Sequence, residues 1–352
     1  MAVKIFLTGV TGYIGGDIFY ALQEAHPDFD YTLLVRSEER ATPVKAKYPK
    51  AKFVYGDLNS SEVIEKAASE ADIVIHTANS ADDVPSAQAI AKGLAAGHTP
   101  SKPGFWLHIC GTGILMHRDM REQRYGQPPY ADEKYDDVAD IDKVLSLPDE
   151  AIHRNVDKIV LAASAESGGA VRTAIVGPPC ISGAGRGPVN TRSIQVYNMI
   201  EFAMKEGYVP VIGTGRTEWD HIHVNDLAAL FVRLVDAAQD PKLASSSEIF
   251  GDHGYYFCEA GSFAWGDVAK WIADELVKQG FMAEPKVEET TVEYVAKLGF
   301  YAGATWGLNS KSFAKRARQY LGWKPTKGGL KEIIPNAVSS EAVRMGIEPQ
   351  AA

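Results

Sequence analysis

A doubly wound α/β fold, in which a parallel sheet is covered by helices on both faces, is predicted for this 352-residue chain by three observations. Short apolar runs alternate with segments of helical periodicity. The runs are rich in β-branched residues and lack strict polar alternation, as strands buried on both faces do. The first run leads through evenly spaced glycines into an amphipathic segment. Strand–helix–strand alternation implies parallel pairing through right-handed crossovers, which confines the topology to a few arrangements.

In chain order, strands are expected at 4–8, 31–35, 52–55, 73–77, 105–110 and 171–176, with helices such as 14–25 and 61–70 between them. From about Gly185 the alternation loosens. The stretch "WDHIHVNDLAALFVRLVDAA" then supplies one more strand and a long helix, and the remainder is mixed. The expected organisation is a dinucleotide-binding region over 1–185, rejoined by the strand and helix of about 219–258. A smaller mixed α/β substrate-binding part is formed by 186–218 and 259–352.

Composition narrows the function. At 45% hydrophobic and 23% charged the chain suits a large buried core, and its net charge of −9 disfavours a nucleic-acid phosphate backbone as partner. Cys110, Cys180 and Cys258 are too scattered for a disulfide framework or zinc-ligand spacing, so no metal site is expected and a reducing cytoplasm is the expected location. Nothing in the sequence resembles a signal peptide, a membrane span or a C-terminal targeting address. The expected partner is a small-molecule substrate, with no nucleic acid and no membrane.

The strongest motif is "KIFLTGVTGYIGGDIFYAL", where Gly9, Gly12 and Gly15 stand between an apolar strand and an amphipathic helix. Glycines there let a pyrophosphate reach backbone amides and the positive end of the helix. The stretch "TGVTGYIGG" resembles the N-terminal fingerprint of the extended short-chain dehydrogenase/reductase family, which includes nucleotide-sugar epimerases and dihydroflavonol-type reductases. "VYGDL", "VIHTA", "GPPCISG", "HIHVNDLA" and "LGWKP" follow in that family's order, so the resemblance spans nearly the whole chain. It implies a Rossmann fold with Gly9, Thr11, Gly12, Tyr13, Ile14 and Gly15 around the pyrophosphate. It also implies Asp57 and Leu58 at the adenine, Thr77 and Ala78 along the route to the ribose, and Pro178 and Ile181 at the nicotinamide turn. A homodimer is compatible with it, since many relatives pair two helices across an interface.

The end of the second expected strand, "YTLLVRSEERA", carries Arg36 and Ser37, with Arg40 nearby, where an NAD-binding site of this kind places Asp or Glu. A guanidinium suits a 2′-phosphate, so NADP is favoured and NAD is the alternative.

The family's chemistry uses a Ser or Thr hydroxyl, a proton-passing Tyr, and a Lys that binds the nicotinamide ribose and lowers the tyrosine pKa. By resemblance Thr112, in "FWLHICGTGIL", supplies the hydroxyl. Lys158 supplies the lysine, because "IVLAASAESGG" and then the nicotinamide turn follow it in the family's order. Four residues earlier, where the tyrosine belongs, stands Arg154, which stays protonated and cannot serve as an acid at neutral pH.

Three substitutes are open. Tyr130 or Tyr135 could reach back from the long 113–153 connection, in which Tyr130 and Lys134 of "YADEK" have the spacing of one helical face. His153 titrates near neutrality, but its one-residue offset turns it away from the Lys158 face. Arg154 could bind an anion, with water as the proton source.

Trp219 replaces the arginine expected of nucleotide-sugar enzymes in "GTGRTEWDHIHV". Each of Tyr197, Tyr208, Trp219, Phe263, Trp265, Phe300, Tyr301 and Trp306 is best read as core, yet together they favour an apolar or aromatic substrate. The leading expectation is an NADPH-dependent reductase of a small carbonyl-type compound. A redox-neutral epimerase or dehydratase and a non-catalytic dinucleotide sensor are the alternatives.

Overall fold

The computed structural model describes residues 2–349; residues 350–352, read above for a targeting address, lie outside the described residues. Seven parallel strands form the main sheet: β1 (Lys4–Thr8), β2 (Asp30–Val35), β3 (Lys52–Tyr55), β4 (Ile73–His76), β5 (Gly104–Ile109), β6 (Val171–Gly177) and β7 (Tyr255–Phe257). Their spatial order is β7-β6-β5-β4-β1-β2-β3. All six strands expected from the sequence are present to within one residue. All six residues of β5 and four of the six of β2, among them Leu33, Val35, Phe105, Trp106 and Leu107, are buried, as strands covered on both faces require.

The crossovers place helices on the two faces. Tyr13–Ala25 packs against Val224–Gln239 on one side, while Val84–Gly97 packs against both Ser61–Glu70 and Arg154–Ala165 on the other. The sheet order reverses between β1 and β4, and in open α/β sheets ligands bind beyond the carboxyl ends of the strands at such a point.

The stretch expected to give one more strand and a long helix divides its allegiance. The helix Val224–Gln239 and β7 return to the main sheet, but the strand Glu218–His223 does not pair with it. That strand instead lies parallel to Cys180–Ser182 and antiparallel to Gly261–Ala264 in a separate three-stranded sheet. A second apolar core forms around this sheet, with Phe202, Trp219, Phe263, Trp265 and Trp306 all buried in it. The aromatic residues that suggested an apolar substrate are thus mostly packed on one another, and Trp219 donates its indole N–H to the Leu308 carbonyl at 2.6 Å. The side chain of Tyr301 lies outside the described residues.

A buried ion pair fastens the second sheet to the following chain. Asp220, fully buried, accepts hydrogen bonds from the Lys311 ammonium and the Ser262 hydroxyl on one oxygen, and from the Ser312 amide (2.7 Å) on the other. Removing one partner strands the other charge without water. Lys311→Met should therefore lower the unfolding free energy by about 3–5 kcal/mol, read from the urea denaturation midpoint of the second core.

Candidate active site

The turn from β1 into the first helix is built for close approach. Gly9 has φ +87°, and a Cβ on it would stand 2.4 Å from the Thr77 hydroxyl; a Cβ on Gly15 would stand 2.3 Å from the Gly9 carbonyl oxygen. The turn can therefore fold directly onto the end of β4. Gly12 precedes the helix Tyr13–Ala25 with no side-chain cap, so the first amides of the helix face outward unsatisfied by their own chain. A pyrophosphate is the group such a helix start accepts. Of the expected contacts, Thr77 donates its hydroxyl to the Thr8 carbonyl at 2.7 Å, and Tyr13 is buried and donates to the Gly183 carbonyl at 2.6 Å. Thr11, Ile14, Ala78 and Ile181 are partly exposed around this mouth, while Pro178 is buried and its carbonyl accepts the Thr112 amide at 3.0 Å.

At the adenine side, Arg36 and Arg40 are exposed and form no ion pair among the described residues, and Ser37 caps the helix Glu38–Lys47 by accepting the Arg40 amide. Glu38 is held by Lys45 at 2.9 Å, while Glu39, next to Arg40 in the chain, is exposed. Asp57 turns back on its own loop, accepting the Asn59 amide at 2.9 Å, and Leu58 is partly buried.

The catalytic assignments fare differently. Thr112 is 1% exposed and its hydroxyl finds no partner among the described residues. Lys158, by contrast, is exposed on the outer face of the helix Arg154–Ala165 and pairs with Asp149 at 3.0 Å. Arg154 is turned inward, where its guanidinium donates to the Leu145 carbonyl. Tyr130 donates to Glu122 at 2.9 Å and is sandwiched between the guanidinium groups of Arg118 and Arg124. Residues 130–134 form no helix, so Tyr130 and Lys134 share no helical face; Tyr135 is buried beside Lys143. The structure brings none of Lys158, Arg154, Tyr130 and Tyr135 to Thr112.

What it brings there is His153. This residue precedes the helix in a left-handed backbone conformation, φ +71°, uncommon for any residue but glycine. A Cβ added to Gly113 would stand 3.1 Å from His153 Nε2, and one added to Gly111 would stand 3.6 Å away, so the imidazole lies over the glycine turn that carries Thr112. Its Nδ1 is 2.6 Å from Asp82, in the loop leaving β4. This hydrogen bond is the main reason the Asp82 carboxyl sits below its usual range.

One helical turn beyond His153 is Asp157. It is fully buried and accepts the Tyr255 hydroxyl at 2.9 Å, with Cys110 on the far side of that hydroxyl. Burial raises the Asp157 carboxyl to about 6. Beneath, His76 and His108 face each other across β4 and β5, and burial keeps both neutral; His76 falls to about 4. The sequence analysis weighed His153 and set it aside for its offset from the Lys158 face, while Asp82 and Asp157 were not singled out. The signal was a His and an Asp four apart, one residue ahead of the Arg154–Lys158 register chosen.

Two outcomes follow from this geometry. Gly9→Ala forces a side chain into a left-handed turn and onto Thr77, and should weaken NADPH binding about tenfold or more in a fluorescence titration. Because the folded Asp157 pKa lies above its unfolded value near 3.8, the folded state binds more protons, and its stability falls as pH rises from about 4 to about 6. Asp157→Asn should lose that slope, so its unfolding free energy relative to the parent should increase between pH 4 and pH 7.

Residues 9–99 match a family described as NAD(P)H-binding. Across 351 residues the chain is 34% identical to the oxidase ucsJ of Acremonium sp., covering 99% of this chain and 100% of that protein. An uncharacterized Saccharomyces cerevisiae protein, YLL056C, is 27% identical over 94% of this chain and 98% of its own. Among solved structures, PbgP3 from Burkholderia pseudomallei superposes with a TM-score of 0.66 at 15% identity, covering 97% of this chain and 96% of its own. The dTDP-glucose 4,6-dehydratase DesIV of Streptomyces venezuelae, solved with NAD, gives 0.65 at 14% identity with 98% of each chain covered. With the uncapped helix start, the reversal between β1 and β4, and the Acremonium oxidase matched along its whole length at 34% identity, the chain belongs to the NAD(P)-binding extended short-chain dehydrogenase/reductase family.

Proposed function

We propose that this protein is an NADPH-dependent oxidoreductase that reduces a small carbonyl-type substrate. The observation that carries the reading is the unpartnered, buried Thr112 hydroxyl at the same sheet edge as the uncapped helix start. A hydroxyl in that state is free to donate to a substrate oxygen, and its desolvation strengthens that bond. A bound nicotinamide dinucleotide supplies or accepts hydride. The Gly9–Gly15 turn holds its pyrophosphate, and the Thr112 side of the cleft takes the reacting carbon. The name of the Acremonium relative, an oxidase, supports redox chemistry over redox-neutral sugar chemistry.

The NADP preference rests on Arg36 and Arg40. Both stand exposed and uncommitted after β2, with the first acidic residue, Glu38, already engaged by Lys45. A 2′-phosphate would find two uncommitted cations there. Arg36→Asp should weaken NADPH binding by about 1.4 kcal/mol or more, tenfold, while changing NADH binding little; equal losses for both dinucleotides would remove the argument. A protein that binds NADPH yet transfers no hydride to any of a panel of aldehydes and ketones would be a dinucleotide sensor instead.

A further inference from the structure

We infer that His153, oriented by Asp82, is the proton-transferring group of this site and stands where the family's tyrosine does, with Asp157 in the place of the family's lysine. The inference rests on the oxidoreductase reading above and deepens it.

Three independent observations converge on His153. Its backbone is held at φ +71°, ψ −18°, a conformation costing about 1–2 kcal/mol for a residue with a side chain. Strain of this kind persists only where the surroundings enforce it, and it gathers at working sites. The side chain is not spent on capping the helix it precedes; it reaches residue 82 in another loop at 2.6 Å. Its other nitrogen overlies the Gly111–Gly113 turn beside the one buried threonine hydroxyl of that turn.

The change at position 157 makes chemical sense of the change at 153. A phenol titrates near 10 and needs a neighbouring cation to work near neutrality, which is the lysine's electrostatic role. Imidazole titrates near 6.5 without help, and a cation beside it would suppress its protonated form. Replacing both members together, Tyr by His and Lys by a carboxylate, keeps the donor matched to neutral pH. The groups facing His153 are Asp82 from the β4 loop, Asp157 and Arg154 on its own helix, and His108 from β5, which burial keeps neutral. Asp157, which burial raises to about 6, lies beside His153, so the pH profile belongs to the group of charges and not to one residue.

In the reducing direction the carbonyl carbon receives hydride with its electron pair from the dinucleotide, and the carbonyl oxygen receives the proton from His153 Nε2. The C=O π bond is lost, and one C–H and one O–H bond form. His153 is left neutral with its remaining proton on Nδ1, shared with Asp82. It regains the other from solvent, to which its side chain is 17% open. Reduction should therefore slow as pH rises through the titration of this group, and alcohol oxidation should slow as pH falls through it.

The first test does not use turnover. In protein carrying ¹³C,¹⁵N-histidine and saturated with NADP, the His153 signals, assigned by their loss in His153→Gln, should report a neutral ring protonated at Nδ1. Asp82→Asn should abolish that preference. A ring protonated at Nε2, or one indifferent to Asp82→Asn, would overturn the pairing. The second test follows NADPH oxidation with 4-nitrobenzaldehyde as probe. His153→Phe should lose about 10²–10⁴-fold in kcat with NADPH affinity retained, and His153→Tyr should recover part of it with the falling limb displaced to higher pH. Asp82→Asn should lower kcat and move the limb toward acid, with KM kept. Undiminished kcat in His153→Phe would sink this inference and leave the oxidoreductase reading standing. Absence of hydride transfer by the parent would sink that reading, and the tautomer measurement would then decide the pair alone.

Discussion

One buried carboxylate ties the two halves of this molecule together. Asp17, on the inner face of the first helix and fully buried, accepts the Arg186 amide at 2.7 Å, the Arg186 guanidinium at 2.7 and 3.0 Å, and the Asn225 side-chain amide at 3.1 Å. It thereby joins the helix that opens the dinucleotide turn, the segment that leaves β6, and the start of the helix Val224–Gln239. A carboxylate without water is tolerable only when every lone pair is matched, so these three segments must meet in one geometry. The position of the glycine turn relative to the second half of the chain follows from that requirement.

Two apolar cores then divide the labour. The larger one lies in and around the main sheet and holds β1, β4, β5 and β6 rigidly, which sets the loops at their carboxyl ends. The smaller one gathers the tryptophans and phenylalanines of the C-terminal region on a sheet of its own. Function gathers at the edge of the larger core, where the loops after β1, β4 and β5 and the start of the helix Arg154–Ala165 converge. The connection from Thr112 to His153 reaches across both parts. Asp119 accepts the Asn309 amide at 2.9 Å and pairs with Arg124, and Tyr135–Asp136 pairs with Ser312–Phe313. This explains why Tyr130 is occupied by Glu122 and two arginines and does not return to the active site.

The active-site helix shows how a single residue of register changes a mechanism. In the 154/158 register the site presents an arginine and a lysine, and the chemistry looks incomplete. In the 153/157 register it presents an imidazole held by Asp82 and a buried carboxyl held by Tyr255. Burial separates the second members of the two pairs: Asp157 and Val160 face the core, while Lys158 faces water; Arg154 is also turned inward, but onto the Leu145 carbonyl.

Periodicity and glycine spacing were enough to predict six of the seven strands of the main sheet, their parallel pairing and the dinucleotide turn, because each shows in residues near one another in sequence; the short edge strand Tyr255–Phe257 was not legible. Gly9 and Gly15 are required locally by the turn they form, and alternation of apolar runs needs no distant partner to be legible. The allegiance of the strand Glu218–His223, the burial of the aromatic residues on one another, and the placement of His153 over the Gly111–Gly113 turn were decided only in three dimensions. Each depends on partners far away in the chain: Cys180–Ser182 and Gly261–Ala264 for the strand, Asp82 for His153, and Tyr255 for Asp157. A helical spacing names two faces of a helix, but only the packing of that helix against the sheet says which face meets the ligand.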